Sequence, residues 1–192
     1  MYDAARDPYC YEGTTILKNL RDIRDVASLD LFEKAMTDQR ADEPLPEGRF
    51  SISHYKAVHH HLFQDVYSWA GRFRTIRIAK GQNAFCYPEN IGREMRLLFA
   101  SLRKSEVLGG LASREFVTSA TSFLSSLNAI HPFREGNGRS QLSFLILIAD
   151  RAGHPFDLER LVPGRFLGAM VASFRGDEKP LIKEISRLAG AR

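Results

Sequence analysis

Two cysteines, a single tryptophan and no apolar run longer than Phe144–Ala149 leave several classes of protein out of reach for this 192-residue chain. Cys10 and Cys86 have neither metal-ligand spacing nor the density of a disulfide framework, which excludes a zinc ribbon or a disulfide-stapled scaffold. One bridge between them stays open, but free thiols in a reducing cytosol are the expectation. The longest apolar stretch is far too short for a bilayer, and the opening residues MYDAARDPYCYEG hold no apolar signal core. No membrane span is expected, and the location expected is cytoplasmic, with delivery into another cell left open. Charge is also undramatic. Lys and Arg number 27 against 23 Asp and Glu, with no block of like charges, so no nucleic-acid partner is implied. Internal repeats and low-complexity tracts are missing.

What is there is an ordinary globular composition, 44% hydrophobic and 26% charged, of a length suited to a single domain over 1–192. Apolar residues recur mostly at helical steps. Ser28 to Arg40 place Leu29, Phe32, Ala35 and Met36 on one face, with Ser28 as the expected N-cap. Ser53 is expected to cap a helix carrying Tyr55, Val58, Leu62, Phe63 and Val66. Pro88 opens a third helix with Ile91, Met95, Leu98, Phe99 and Leu102 inward. A fourth, about Ser113 to Ile130, buries Phe116, Ala120, Phe123, Leu124 and Leu127. The fifth, Arg139 to Ala152, is apolar nearly all round and should be the central helix. Two shorter helices follow, broken near Gly176 and Pro180. The segment from about 73 to 88 departs from this pattern: Phe73, Thr75, Ile76 and Ile78 precede a turn at Lys80-Gly81-Gln82-Asn83, which reads as a small β-hairpin. The expected fold is mainly α, with one hairpin.

The chemistry concentrates in HPFREGNGRS, His131 to Ser140, between two strongly apolar helices. Gly136-Asn137-Gly138 permits positive φ, so that successive N–H groups can turn toward one point and form an anion nest. The helix that follows directs its positive N-terminal end to the same place, and Arg139 adds a cationic fork suited to phosphate oxygens. Glu135 beside such a cradle would repel polyphosphate unless a cation bridged them, and Mg²⁺ does this with one or two protein ligands. His131 is the nearby group able to accept a proton near neutral pH. Base, metal ligand and phosphate nest within nine residues describe phosphoryl or nucleotidyl transfer.

HPFREGNGR resembles the signature of the Fic family, H-x-F-x-(D/E)-G-N-G-R-x-x-R, matching every fixed position through Arg139. DPYCYEGTTILKN, HLFQDVYSWAGRFR and IAKGQNAFCYP also sit where Fic proteins carry similar segments. The resemblance implies a Fic-type helical bundle and a protein adenylyltransferase using ATP with Mg²⁺. His131 would deprotonate a target Tyr, Thr or Ser hydroxyl, and Phe133 would anchor the loop. Glu135 would hold Mg²⁺, and Gly136, Asn137, Gly138 and Arg139 the phosphates. The hairpin around Lys80 and Gly81 would act as a flap that aligns the target protein by main-chain pairing.

One position departs from the family pattern. The second motif arginine, usually a γ-phosphate contact, is Leu142 here. The Doc branch shares that loss and behaves as kinases, but it also replaces the second loop glycine by lysine, whereas Gly138 is retained. AMP transfer is therefore favoured over phosphotransfer and over UMP or GMP transfer, and the retention of both His131 and Glu135 argues against a non-catalytic binding module. Family members restrained from within carry S/T-x-x-x-E-G/N. Glu12, Glu47, Glu89 and Glu135 precede Gly or Asn, yet Pro8, Glu43, Phe85 and His131 stand four places before them. The expected restraint is a small inhibitory antitoxin acting in trans or a segment outside these 192 residues, and the roles of toxin and of delivered effector both stay open. Plainer readings cover the rest. His59-His60-His61 point about 100° apart on a helix and cannot converge on one metal; Tyr67 and Trp69 are packing residues, and His154 ends a helix.

Overall fold

The structure, a computed structural model, describes residues 7–80 and 83–190, and of Lys80 and Asn83 the backbone alone. Seven α-helices lie among the described residues: α1 (Val26–Ala41), α2 (Ile52–Phe63), α3 (Pro88–Lys104), α4 (Ser113–Ile130), α5 (Asn137–Ala152), α6 (Pro163–Phe174) and α7 (Lys179–Leu188). Between α2 and α3 sits a two-stranded antiparallel hairpin, β1 (Ala79–Lys80) and β2 (Asn83–Ala84), in register Ala79 to Ala84 and Lys80 to Asn83.

The helix starts differ from expectation at two caps. Asp25, not Ser28, caps α1, its carboxylate accepting the Ser28 N–H at 2.8 Å. Ser51, not Ser53, caps α2, its hydroxyl accepting the His54 N–H at 3.2 Å. In both cases the true cap is the last extended residue before the helical turns, two or three places upstream of the residue expected. Pro88 does open α3, and α4 spans the residues expected of it. Pro180 does not break a helix; it lies in the first turn of α7, where its missing N–H is harmless, and the break falls at Gly176 with φ 91°.

α5 forms the centre, with Phe144, Leu145, Ile148 and Ala149 sealed from solvent. Helices α2 and α4 flank it, α3 packs on α4, α6 and α7 close the far side of α4, and α1 lies outside α2. Phe144 makes edge-on or tilted ring contacts with Tyr55, Phe99 and Phe123, which ties four helices to one point. The α1 stripe is more polar than expected: Ala35 faces solvent, while Glu33, Thr37 and Arg40 turn inward beside Leu29, Phe32 and Met36. No helix among the described residues is long and apolar enough to cross a membrane.

The hairpin is shorter than the 73–88 expected. Residues 73–78 form no strand, because Arg74 turns into the protein instead of alternating outward. Its guanidinium donates to the carbonyls of Ile76 and Cys86 at 2.6 Å each, of His131 at 2.8 Å and of Ile130 at 3.2 Å. The Arg74 N–H adds a bond to the Pro132 carbonyl at 2.9 Å. One buried side chain thus clips the hairpin to the end of α4.

Candidate active site

Between α4 and α5 the chain makes two left-handed residues do the turning. His131 (φ 49°, ψ 61°) ends α4, and Gly136 (φ 77°, ψ 8°) starts α5 as its N-cap. The left-handed conformation is costly for histidine, and the Arg74 bond to its carbonyl helps hold it there. Gly136 has no alternative. A Cβ on it would stand 2.2 Å from Cζ of Phe63, so both the backbone conformation and the space demand glycine.

Asn137 closes the loop. Its side-chain oxygen accepts the Phe133 N–H and its amide donates to the Phe133 carbonyl, each at 2.9 Å. The amide is thereby committed to the loop, and what Asn137 can offer an anion is its backbone N–H. Phe133 is fully buried, its ring 3.7 Å from His59 and 5.3 Å from Tyr55. No side chain caps α5, so the N–H groups of Asn137, Gly138 and Arg139 have no partner within the helix. A Cβ on Gly138 would meet no atom within 4 Å, leaving that first turn open to a ligand.

Glu135 is about half exposed and accepts the Gly136 N–H at 2.9 Å through Oε1. Its second oxygen is available to a cation. Among the described residues no three His, Cys, Asp or Glu side chains cluster as a metal cage, so an ion here would draw its remaining ligands from phosphate and water. The donor set suits Mg²⁺ in that role. Arg139 lies between the loop and α1. It donates to Thr37 at 3.1 Å and to Glu33, and its guanidinium carbon lies 4.6 Å from the centre of the Phe63 ring. Glu33 also accepts the Tyr67 hydroxyl. Burial and the Glu33 charge push the Tyr67 phenol up, so it remains a donor. The neighbouring loop arginine, Arg134, pairs with the sealed carboxylate of Asp7 at 2.8 Å.

His131 stacks against Phe85 of the hairpin, ring centres 3.8 Å apart and 18° from parallel, with Phe174 edge-on behind. Lys80 pairs through its backbone with Asn83; its side chain and Gly81 lie outside the described residues.

Three supporting residues escaped the reading of the sequence. His59, one of the three histidines that cannot converge on one metal, is sealed. Its Nε2 bonds the Glu135 carbonyl at 3.0 Å and its Nδ1 accepts the Gly71 N–H at 2.9 Å, so the ring is the neutral Nε2–H tautomer. Burial pushes it down to about 3. Arg74 and Glu33 are the others. The one signal available was their place inside apolar stripes, where an ionisable residue needs a partner.

A model of the Fic/DOC family matches residues 49–149. The probable protein adenylyltransferase y4lH of Sinorhizobium fredii is 52% identical over 188 residues, 97% of this chain and 98% of that protein. The protein adenylyltransferase VbhT of Bartonella schoenbuchensis is 34% identical over 92% of this chain, which spans 37% of VbhT. Among solved structures, the VirB-translocated effector BepC of Bartonella tribocorum, with bound AMPPNP, aligns at TM-score 0.82 and 27% identity, over 94% of this chain and 95% of BepC.

Proposed function

The chain belongs to the Fic/DOC family, and from that premise we propose that it is a protein adenylyltransferase, moving AMP from ATP to a Tyr, Thr or Ser hydroxyl of a target protein within one domain, 1–192. The observation that supports this reading is the pair of left-handed residues, His131 and Gly136, bracketing the loop that leads from the end of α4 into the uncapped N-terminus of α5. His131 takes the proton of the target hydroxyl. The oxygen attacks the α-phosphorus, the bond to the β-phosphate oxygen breaks, and pyrophosphate leaves. The N–H groups of Asn137, Gly138 and Arg139 receive phosphate oxygens, and the Arg139 guanidinium supplies charge. Glu135 offers one carboxylate oxygen to Mg²⁺, which neutralises developing charge on the phosphates when bound. Phe133 keeps the loop seated in the core. Strands β1 and β2 present a short edge to the target's main chain, with Arg74 bonded to the carbonyls of Ile76 and Cys86 on either side of them.

Leu142 is half-buried and packs against the core, so α5 offers no cation at the usual γ-phosphate position. That keeps phosphotransfer and transfer from UTP or GTP as outcomes to be distinguished. No S/T-x-x-x-E-G/N segment lies within these 192 residues, so a restraint of that kind comes from a small inhibitory protein in trans or from sequence outside them. The test is labelling with α- and γ-labelled nucleotides and Mg²⁺ in cell extract, with His131→Ala as control. Label from the α-phosphate of ATP that depends on His131 supports AMP transfer. Label from the γ-phosphate alone would replace it by phosphotransfer, and equal labelling by His131→Ala would sink the mechanism.

A further inference from the structure

Arg139 is held by side chains of a different helix. Its guanidinium donates to Glu33 and Thr37 of α1, and the Thr37 hydroxyl is itself oriented by donating to the Glu33 carbonyl at 2.8 Å. Phe63 lies beneath the guanidinium and also occupies the space directly under Gly136, so the same ring floors the cation and the anion loop. On the loop side, Glu135 Oε1 stands 4.0 Å from the same Arg139 nitrogen that meets Glu33. The guanidinium is therefore fixed beside the loop, between the carboxylate of α1 and that of the motif.

We propose that Glu33 is a positioning residue for the nucleotide phosphates: it acts through Arg139, presenting the guanidinium to the loop already oriented. This rests on the nucleotide-binding role given to the loop above. Two considerations favour positioning over competition with phosphate. A guanidinium has five N–H donors in a rigid fork, and Glu33 and Thr37 take only one edge of it, so donors remain for an anion. The Glu33 side chain is also only 14% exposed, with the Tyr67 hydroxyl as its other partner. If Arg139 swung away, a nearly buried carboxylate would be left with a neutral phenol, which is unfavourable. The role matters more in this chain than the motif suggests. Leu142 supplies no charge, and Arg134 is engaged with Asp7, so Arg139 is the loop cation left to meet phosphate.

The experiment is calorimetric titration of the full chain with MgADP and, separately, with adenosine, which has no phosphate. The proteins are the parent, Glu33→Gln, Arg139→Ala, the double variant, and Tyr67→Phe. Glu33→Gln is expected to raise the MgADP Kd about tenfold, to leave adenosine binding unchanged, and to add nothing further in the Arg139→Ala background. Tyr67→Phe disturbs the same buried carboxylate without touching Arg139 and is expected to lower the melting temperature while shifting the MgADP Kd far less. Tighter or unchanged MgADP binding in Glu33→Gln would overturn the proposal, as would an undiminished effect in the Arg139→Ala background. A parent chain that binds neither ligand would overturn the function proposed above as well, and is thereby told apart from failure of the Glu33 role alone.

Discussion

His59 carries no charge in the folded chain, and that single fact couples the stability of the motif loop to pH. Folded, its pKa is pushed down to about 3 by burial, against 6.5 for an unburied histidine. As pH falls below 6.5 the unfolded chain binds a proton that the native ring refuses, so the stabilisation present above 6.5 drains away until the folded pKa is reached. The expected slope is about 1.4 kcal/mol per pH unit. Urea unfolding at pH 7 and pH 5 measures it; His59→Gln should flatten the difference, and an equally steep loss in that variant would assign it elsewhere. The loop glycines give a second residue-scale contrast. Gly136→Ala should be destabilised by about 2 kcal/mol or more, since the φ and the Phe63 contact are both violated. Gly138→Ala should melt no lower than the parent, because alanine loses less backbone entropy than glycine in a helical conformation and its Cβ meets nothing. Its nucleotide affinity should nevertheless fall, as the methyl group enters the first turn of α5. Thermal melts with nucleotide titration separate the two, and equal behaviour would mean that the open turn is not where phosphate binds.

At the scale of elements, the hairpin depends on Arg74 more than on its own ladder, which is two residues long on each strand. Removing the guanidinium in Arg74→Met leaves the carbonyls of Ile76, Cys86, Ile130 and His131 without that donor. A loss of about 3 kcal/mol or more is expected, with faster amide exchange over 78–86 while α3 stays protected. Exchange unchanged in that stretch would refute the clip. This element also marks where the sequence was legible and where it was not. Helices α3 and α4 were readable because periodicity and Pro88 are local signals, and the loop HPFREGNGR was readable as a helix junction because its glycines interrupt two apolar helical patterns. Arg74, His59 and Glu33 were not, since their partners lie 57, 76 and 106 residues away in sequence. A run alternating like 73–78 reads as strand until a distant carbonyl draws one of its side chains inward. The caps failed for a smaller reason: Ser51 and Ser53 are equally able acceptors, and the choice is made by where the preceding chain stops being extended.

Across the whole molecule, both loop arginines are met by carboxylates from the N-terminal quarter of the chain, Asp7 for Arg134 and Glu33 for Arg139. The motif is therefore built by long-range closure, and a ligand that binds it should stabilise the entire fold, not only the loop. A ligand present at one hundred times its Kd adds about 2.7 kcal/mol to unfolding. For a chain of this size each kcal/mol moves the melting temperature by about 2–4 °C, so saturating MgATP should raise it by roughly 5–10 °C. The cation is part of that prediction. Glu33 and Glu135 flank one guanidinium, so the immediate surroundings carry one excess negative charge toward a polyphosphate. ATP in EDTA should accordingly give a markedly smaller shift than ATP with Mg²⁺ at equal concentration, and Glu135→Gln should narrow the gap between the two conditions. Equal shifts with and without the cation in the parent chain would remove Glu135 from the role of metal ligand, while a shift that His131→Ala retains in full would leave His131 free to act on the target hydroxyl without contributing to nucleotide binding.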